Sequence, residues 1–292
     1  MENGNFIWTN YKDFCDGTIL FSGFKEDVIK IKQHESWNLY LFYYRNTYFG
    51  VKQCAEIDYL KELSNQLDIN MQTHLEACVI SSMTYCVSST THLAQYLKPS
   101  SERNATNLLK RRSLSVIDLV IEKLKLLTHM HRPKDGETLN LDFKIALDKL
   151  PLDKSCVIYA DPPYFKEHYS RYYHVLDTFV LYDYPELTYN KRMQQTTVGR
   201  YRDNRIVSDF GKKSLVHKAF DDLCDSCIKY GSKLAISYAS SSLVSYEDIH
   251  KLAQSKNLYI KTLEFDLVHS GQGQARHKKV TEYLFLLSNE KF

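Results

Sequence analysis

The sequence predicts an α/β protein in which a mostly helical region precedes a region of alternating strands and helices. Two observations predict this class. Up to about residue 127, apolar residues recur at the spacing of one helix face, whereas after residue 136 short apolar runs alternate with helical patterns. We therefore expect a mostly helical region over residues 1–136 and an α/β region over residues 137–292.

The composition is that of a globular protein with enough apolar residues, 43% of 292, to bury a core. The formal net charge of +3 is too small to indicate nucleic acid by itself, so local clusters must decide. Seven cysteines show no regular spacing, and Cys224 and Cys227 fall in a helical pattern where cysteine packs as a small apolar residue. Reduced thiols and the lack of a signal-peptide or membrane-span pattern predict a cytoplasmic protein without a metal ion.

The first region contains three helical patterns. Residues 1–50 are aromatic-rich and favour neither strand nor helix, whereas Lys52–Leu67 and Met71–Leu97 carry helical periodicity. Residues 98–112 combine a proline, small polar residues and a basic cluster, which predicts a loop. Leu114–Leu127 is helical again.

In the second region strands and helices alternate. Residues 139–142, "LNLD", form a short strand candidate that a short helix follows, and residues 155–160, "SCVIYA", form an apolar strand expected to be buried on both faces. The later elements are a helix at Ser214–Tyr230, a strand at Lys233–Tyr238, a helix at Tyr246–Lys256, and strands at Leu258–Phe265 and 281–287.

The strand over residues 155–160 runs directly into Asp161-Pro162-Pro163-Tyr164. Ligands of open α/β sheets bind at the carboxyl ends of the strands. Because the two prolines fix φ and have no N–H group, this turn offers only acceptors, beside an aromatic ring. Such a set suits the exocyclic amine of a planar base. An isolated Asp-Pro-Pro is more often a turn that ends a strand, but the full motif after a buried strand is more specific.

This motif, with "HYSRYYHVLDTF" at residues 168–179 and "NTYFGVKQCAEIDYLKEL" at residues 46–63, resembles the Dam-like adenine-specific DNA methyltransferases. The similarity covers roughly residues 40–290. It implies a partial Rossmann-like methyltransferase sheet with an inserted helical target-recognition region. It also implies S-adenosylmethionine as cofactor and double-stranded DNA as substrate, with no metal.

The resemblance implies roles for individual residues. Asp142 would contact the adenine of S-adenosylmethionine, with Phe143 beside it and Asp161 also near the cofactor. Asp161 and the Pro162 carbonyl would hold the target amine while Tyr164 stacks on the flipped base, in a turn that Pro163 stiffens. The expected substrate-binding residues are Phe165, Tyr169, Arg171, Tyr172 and His174. For His174, a packed and hydrogen-bonded histidine is the more common explanation.

The chain departs from the family at the Gly-rich cofactor loop, Phe-x-Gly-x-Gly, which is missing. Phe21-Ser22-Gly23-Phe24 has one glycine, and Gly271-x-Gly273 precedes the terminal strand instead of linking a strand to a helix. The two strands that the family places between the Asp142 strand and the strand before Asp161 are missing too. The strand over residues 155–160 would then have an unpaired edge. We expect a second polypeptide to supply these parts, so that the enzyme is a split heterodimer and residues 1–136 recognise the target or the partner.

Contacts with DNA phosphates are predicted at the basic residues of the polar stretch 190–205, which are Lys191, Arg192, Arg200, Arg202 and Arg205. A second basic cluster, Lys110-Arg111-Arg112, also follows a polar loop.

The preferred hypothesis is the catalytic and target-recognising subunit of a base-flipping N6-adenine DNA methyltransferase of the restriction-modification type. The same turn would also suit N4 of cytosine, or adenine in RNA. A third hypothesis is a non-catalytic DNA-binding subunit that keeps the turn as a base pocket. The intact Asp161–Tyr164 motif favours catalysis, and the missing glycine loop favours the non-catalytic subunit.

Overall fold

The computed structural model describes residues 37–89, 93–129, 136–164, 169–192, 194–197, 199–203, 207–269 and 278–292. The chain forms two compact units. The helical unit comprises Met1–Arg132 and Ser170–Arg205, and the sheet unit comprises Pro133–Tyr169 and Ile206–Phe292. Residues 170–205 thus group with the helices, while the division of roles at residue 136 stays a prediction.

The helices of the described residues are α1 Leu39–Tyr43, α2 Val51–Ser64, α3 Ile69–Cys86, α4 Glu102–Arg112, α5 Val116–His129, α6 Phe143–Lys149, α7 Tyr169–Leu181, α8 Val216–Tyr230 and α9 Tyr246–Ser255. The strands are β1 Val157–Ala160, β2 Tyr189–Asn190, β3 Gln195–Thr196, β4 Lys233–Ala239, β5 Tyr259–His269 and β6 Lys278–Ser288. Within the described ranges, no helix is long and apolar enough to cross a membrane.

Two predictions about the helical unit are wrong. The helix predicted to run to Leu97 ends at Cys86, because Val87 turns to extended backbone and the Ser88 N–H donates to the Tyr48 carbonyl at 2.7 Å. The loop predicted over residues 98–112 contains α4, whose first turn is capped by the Ser101 hydroxyl, which accepts from the Asn104 N–H at 3.3 Å. The helices predicted at Lys52–Leu67 and Leu114–Leu127 are confirmed as α2 and α5.

Buried tyrosines form the core of the helical unit. The side chains of Tyr40, Tyr43, Tyr44 and Tyr48 are at most 1% exposed, and every one of their hydroxyls donates a hydrogen bond. Their acceptors are the Val175 carbonyl at 2.5 Å, the Pro185 carbonyl at 3.0 Å, the Thr178 hydroxyl at 3.1 Å and the Gly199 carbonyl at 3.2 Å. Because buried hydroxyls without partners are costly, these bonds fix α7, Pro185 and Gly199 onto α1 and the segment after it.

The sheet unit is built on a four-stranded mixed sheet in the order β1-β4-β6-β5. Strand β1 is parallel to β4, and β6 is antiparallel to both β4 and β5. The α/β class is therefore confirmed, and every strand predicted after residue 230 is present. The predicted strand over residues 139–142 is wrong, because these residues form no strand and Asp142 instead caps α6.

The two faces of this sheet differ. On one face, Ile158, Ile236 and Phe285 are buried in the apolar core that α8 and α9 also line. Strand register places the apolar side chains Val157, Tyr159, Tyr259, Leu263 and Phe265 on the opposite side, which we call the open face. Val157 and Tyr159 are 62% and 64% exposed. The expectation that residues 155–160 form a strand buried on both faces is thus wrong.

Candidate active site

The Asp161-Pro162-Pro163-Tyr164 turn lies at the carboxyl end of β1, beside the carboxyl end of the parallel strand β4. The Leu243 N–H, in the loop after β4, donates to the Tyr164 carbonyl at 3.1 Å and ties the two strand ends together. Asp161 is exposed, Pro162 is buried, and Pro163 and Tyr164 are half-buried. The turn therefore presents a solvent-accessible carboxylate on a backbone that the prolines and the Leu243 bond hold in place.

The Tyr164 side chain is fixed at two points. Its hydroxyl is hydrogen-bonded to the Ser237 hydroxyl at 2.8 Å, and its ring meets the Tyr238 ring edge-on with centroids 5.4 Å apart. Burial raises the pKa of Tyr164 to about 12; the Ser237 bond opposes the rise and the Asp161 carboxylate adds to it. Tyr164 is therefore a neutral, oriented aromatic group at neutral pH. Sequence reasoning missed Ser237 and Tyr238, although their place near the end of the strand next to β1 could have indicated them.

The predicted cofactor residues Asp142 and Phe143 belong to the same unit as the turn. Asp142 is exposed, and one of its oxygens accepts from the Lys144 N–H at 3.0 Å. Phe143 is half-buried and packs on Phe210 with ring centroids 5.4 Å apart. An exposed carboxylate beside an anchored ring fits the adenine end of S-adenosylmethionine.

The described residues offer no counterpart for the methionine end of that cofactor. No two of the described glycines stand at the Gly-x-Gly spacing of the family's cofactor loop. The candidate glycines Gly23, Gly271 and Gly273 lie outside the described residues. Among the described residues, the chain thus offers acceptor groups suited to the adenine end of the cofactor and no Gly-x-Gly turn for its methionine end.

The predicted substrate-binding residues are divided between the units. Tyr169 is exposed in the sheet unit at the start of α7, Phe165 lies outside the described residues, and Tyr172 is half-buried in the helical unit. The Arg171 guanidinium, also in the helical unit, lies over the Tyr201 ring at 5.1 Å. The roles of these residues in substrate binding stay predictions.

His174 is fully buried in the helical unit. Its Nδ1 donates to the Arg171 carbonyl at 2.9 Å, and its ring packs edge-on against Tyr48 and Tyr201 at 5.6 and 5.1 Å. Burial lowers the pKa of His174 to about 4, so the ring is neutral at neutral pH. This is the geometry expected of a packed, hydrogen-bonded histidine.

The predicted phosphate-binding residues occupy different environments. Lys191 and Arg192 are exposed in the loop that joins β2 to β3. The Arg200 guanidinium is buried and donates to the Tyr43 carbonyl and, at 3.2 Å, to the Thr47 hydroxyl. Arg202 makes two bonds to Asp183, at 2.7 and 2.5 Å. Arg205 lies outside the described residues.

Cys224 and Cys227 are both buried in α8, where they pack in the apolar core of the sheet unit. In the described ranges, no group of three or more His, Cys, Asp or Glu side chains is arranged to hold a metal ion.

Comparison with known proteins identifies two relatives and one family. The family model described as D12 class N6 adenine-specific DNA methyltransferase matches residues 10–259. The type II methyltransferase M.FokI of Planomicrobium okeanokoites is 25% identical over 256 residues, which cover 83% of this chain and 35% of the relative. The modification methylase LlaI of Lactococcus lactis subsp. lactis is 35% identical over 98 residues, which cover 34% of this chain and 14% of the relative. The chain thus spans about a third of the length of M.FokI at most. No solved structure matches it.

Proposed function

The chain belongs to the D12 class N6 adenine-specific DNA methyltransferase family, which confirms the resemblance seen in the sequence, and we propose that it carries the target-recognising and base-binding half of such an enzyme. The reaction is transfer of a methyl group from S-adenosylmethionine to N6 of adenine in double-stranded DNA. The names of the two relatives, a methyltransferase and a modification methylase, support this class of reaction.

The observation that carries the proposal is the turn at the end of β1, where an exposed carboxylate, a proline-fixed backbone and an oriented tyrosine ring follow one another. The lone pair of an adenine amine is delocalised into the ring and is a poor nucleophile. In our proposal the Asp161 carboxylate and the Pro162 carbonyl accept the two amine N–H bonds of a flipped base, which localises the lone pair on nitrogen, and Tyr164 stacks on the ring. When bound, S-adenosylmethionine would supply the methyl group and leave as S-adenosylhomocysteine, and the proton lost by the methylated amine would pass to solvent.

Asp142 and Phe143 are proposed to hold the adenine end of the cofactor. The exposed Asp142 carboxylate can accept from the adenine amine, and the Phe143 ring, anchored on Phe210, can lie against the base. In this arrangement the exposed Asp161 carboxylate binds the amine of the target adenine, while Asp142 and Phe143 bind the adenine of the cofactor.

A second polypeptide is proposed to complete the sheet. Among the described residues, β1 pairs only with β4, so that its other edge has free backbone groups. The open face and the unpaired residues 139–142 belong to the same unit. A companion that adds a strand, a Gly-rich turn and a helix next to β1 would supply the methionine site and cover apolar side chains. On complex formation, hydrogen exchange should slow at the β1 amides that point away from β4, and unchanged exchange there would contradict this placement.

Lys191 and Arg192 are the phosphate contacts that we carry forward from the predicted set, and Arg205 stays a prediction. Arg200 is left out, because its guanidinium is buried against Tyr43 and Thr47. Arg202 would have to exchange Asp183 for a phosphate.

The test is product analysis with the chain and its companion, which we expect to be encoded by the neighbouring gene. The complex is incubated with labelled S-adenosylmethionine and duplex DNA, and the nucleosides are separated after digestion. We expect N6-methyldeoxyadenosine from the wild type and none from Asp161→Ala. Detection of N4-methyldeoxycytidine instead would identify cytosine as the target base. A complex that binds DNA without methylating it would support the non-catalytic alternative.

A further inference from the structure

Helix α4 has two sharply different sides. With about 3.6 residues per turn, Ala105, Leu108 and Arg112 fall on one side of the helix, and Arg103, Asn107 and Lys110 fall on the opposite side. Ala105 and Leu108 are buried, whereas Arg103, Asn107 and Lys110 are all exposed. The packing of α4 therefore fixes which side chains face solvent.

The carboxyl end of α4 is held firmly to the rest of the helical unit. The Arg112 guanidinium donates to the Thr47 carbonyl at 2.8 Å, and the Arg111 guanidinium donates to the Val87 carbonyl at 3.2 Å. The Gln53 side-chain amide donates to the carbonyls of Arg111 and Leu114, both at 3.0 Å. Two of the three residues in the Lys110-Arg111-Arg112 cluster are thus anchors, and the helix is a rigid support for its exposed side.

Within the described ranges, the cations on the exposed side of α4 and those around α8 differ in their ion pairs. In the sheet unit, Lys218 pairs with Asp222 at 3.0 Å, and Lys256 pairs with Asp221 at 2.8 Å. No ion pair among the described residues involves Arg103 or Lys110. Such a helix side, with cations and amides but no carboxylate except Glu102 at its first position, is suited to a polyanion.

From this arrangement we propose that α4 is a DNA-recognition helix, whose Arg103, Asn107 and Lys110 contact base edges in the major groove of the target duplex. This inference rests on the proposed function, because it takes double-stranded DNA as the substrate. Arginine and lysine donate to the acceptors of guanine, and asparagine makes a paired contact with adenine. Arg103 and Lys110 are seven residues apart, or about 10 Å along the helix, which corresponds to roughly three base pairs.

A pocket beside α4 supplies a place for the DNA backbone. It has a volume of about 280 Å³, and its lining includes Lys98, Asn104, Asn107 and Arg111. Lys98 and Arg111 make the pocket positive, and Asn107 belongs to both the pocket and the exposed side. A phosphate bound there would set the register of the helix along the groove.

The experiment measures base preference in binding. The 292-residue chain is mixed with a pool of duplexes that have a randomised centre, and the bound fraction is sequenced for the wild type, Arg103→Ala, Asn107→Ala and Lys110→Ala. Asn107→Ala should lose about tenfold to a hundredfold of the preference for one base pair. The salt dependence of its binding should stay the same, because no charge is removed. Asn107→Gln, which keeps the amide, should retain part of the preference.

Lys251→Ala is the matched control, because Lys251 is an exposed cation on α9 in the sheet unit. It should leave every base preference unchanged, and all variants should keep the wild-type melting temperature. Unaltered preferences in all three α4 variants, or a wild-type chain that binds no duplex, would overturn the inference. If the complex methylates DNA at a defined sequence and the α4 variants keep the wild-type base preferences, the inference is wrong and the proposed function stands. If the variants lose base preferences but the wild-type complex methylates no DNA, the proposed function is wrong and the inference stands.

Discussion

The two units differ in how completely this chain closes them. In the helical unit, the large aromatic side chains of the core are buried, and each core tyrosine hydroxyl described above finds an acceptor within the unit. In the sheet unit, α8 and α9 help to bury one sheet face, while apolar side chains of β1 and β5 stay exposed on the other. Apolar residues scattered singly over a surface are ordinary, but a set aligned on one sheet face indicates a surface that another element covers. The comparison teaches that the helical unit buries its own core, whereas the sheet unit leaves apolar side chains on one face open, and this difference is the reason for proposing a companion subunit.

The largest expected effect is on stability, when one aromatic side chain in each unit is truncated to alanine. Phe179 is fully buried in the helical unit, so Phe179→Ala should lower the free energy of unfolding by about 3–5 kcal/mol. Tyr159 is 64% exposed on the open face, so Tyr159→Ala should change it by less than about 0.5 kcal/mol in the chain alone. Denaturant titration followed by circular dichroism measures both values. An equally large loss in Tyr159→Ala would show that the open face is covered within the chain itself.

The next effect concerns catalysis in the sheet unit. Asp161 is exposed at the end of β1, so Asp161→Ala should leave the melting temperature nearly unchanged. In the complex with the companion, methyl transfer should fall by about 10² to 10³, because a positioned acceptor for the reacting amine is lost. Single-turnover transfer of labelled methyl groups measures the rate. Wild-type turnover in this variant would remove the turn from the active site.

The third effect belongs to the helical unit and depends on pH. His174 is buried and neutral with a pKa of about 4, whereas its ordinary value is 6.5, so between these values the unfolded chain binds the proton and the folded chain does not. The contribution of His174 to the free energy of unfolding should therefore fall by on the order of 2–3 kcal/mol as the pH is lowered from 6.5 to 4.

A difference measurement is needed for this prediction, because Asp58 acts in the opposite direction. Burial raises the pKa of Asp58 to about 7, so its contribution to stability is greatest at low pH and falls as the pH rises through this range. Asn in place of His174 keeps a donor for the Arg171 carbonyl and does not titrate. Wild type and His174→Asn are compared by urea unfolding at several pH values, and parallel pH profiles would contradict the buried neutral histidine.

The smallest expected effect is on DNA affinity, through phosphate contacts that we place in the helical unit and not in the sheet unit. Replacing Lys191 and Arg192 together by Ala should weaken binding to every duplex alike, because phosphate contacts carry no base preference. The slope of log affinity against log salt should become shallower by about 0.9 for each lost contact. The double variant Lys213→Ala with Lys251→Ala removes two exposed cations from the sheet unit and serves as the control. Equal slopes in the two double variants would exclude the loop between β2 and β3 from the DNA interface.

The sequence predicted the sheet unit well where apolar pattern and packing agree. The strands and helices after residue 230 appear as expected, and Asp161–Tyr164 stands at a strand end next to a parallel neighbour. Residues 139–142 carry a strand pattern but cannot form a strand, since a strand needs a hydrogen-bonded neighbour that the described residues do not provide. The contact of Tyr164 with Ser237 joins residues 73 apart, so periodicity could not indicate it.

The errors in the helical unit come from tertiary contacts. The chain leaves the helix after Cys86 because Ser88 bonds to the Tyr48 carbonyl, a partner that no local pattern reveals. Helix α4 was missed because it buries only Ala105 and Leu108, which leaves almost no apolar periodicity. Ser101 was nevertheless a readable helix-start signal at the amino end of that helix.

Binding of S-adenosylmethionine, measured by titration calorimetry with the chain alone and with the complex, tests the central claim that this chain recognises DNA and the target base while a companion completes the cofactor site. The chain alone should give no measurable heat of binding, because its described residues supply acceptors for the adenine end and no Gly-rich turn for the methionine end. The complex should bind the cofactor at micromolar concentrations. A monomeric 292-residue chain that binds S-adenosylmethionine at micromolar concentrations by itself and methylates DNA would contradict the claim.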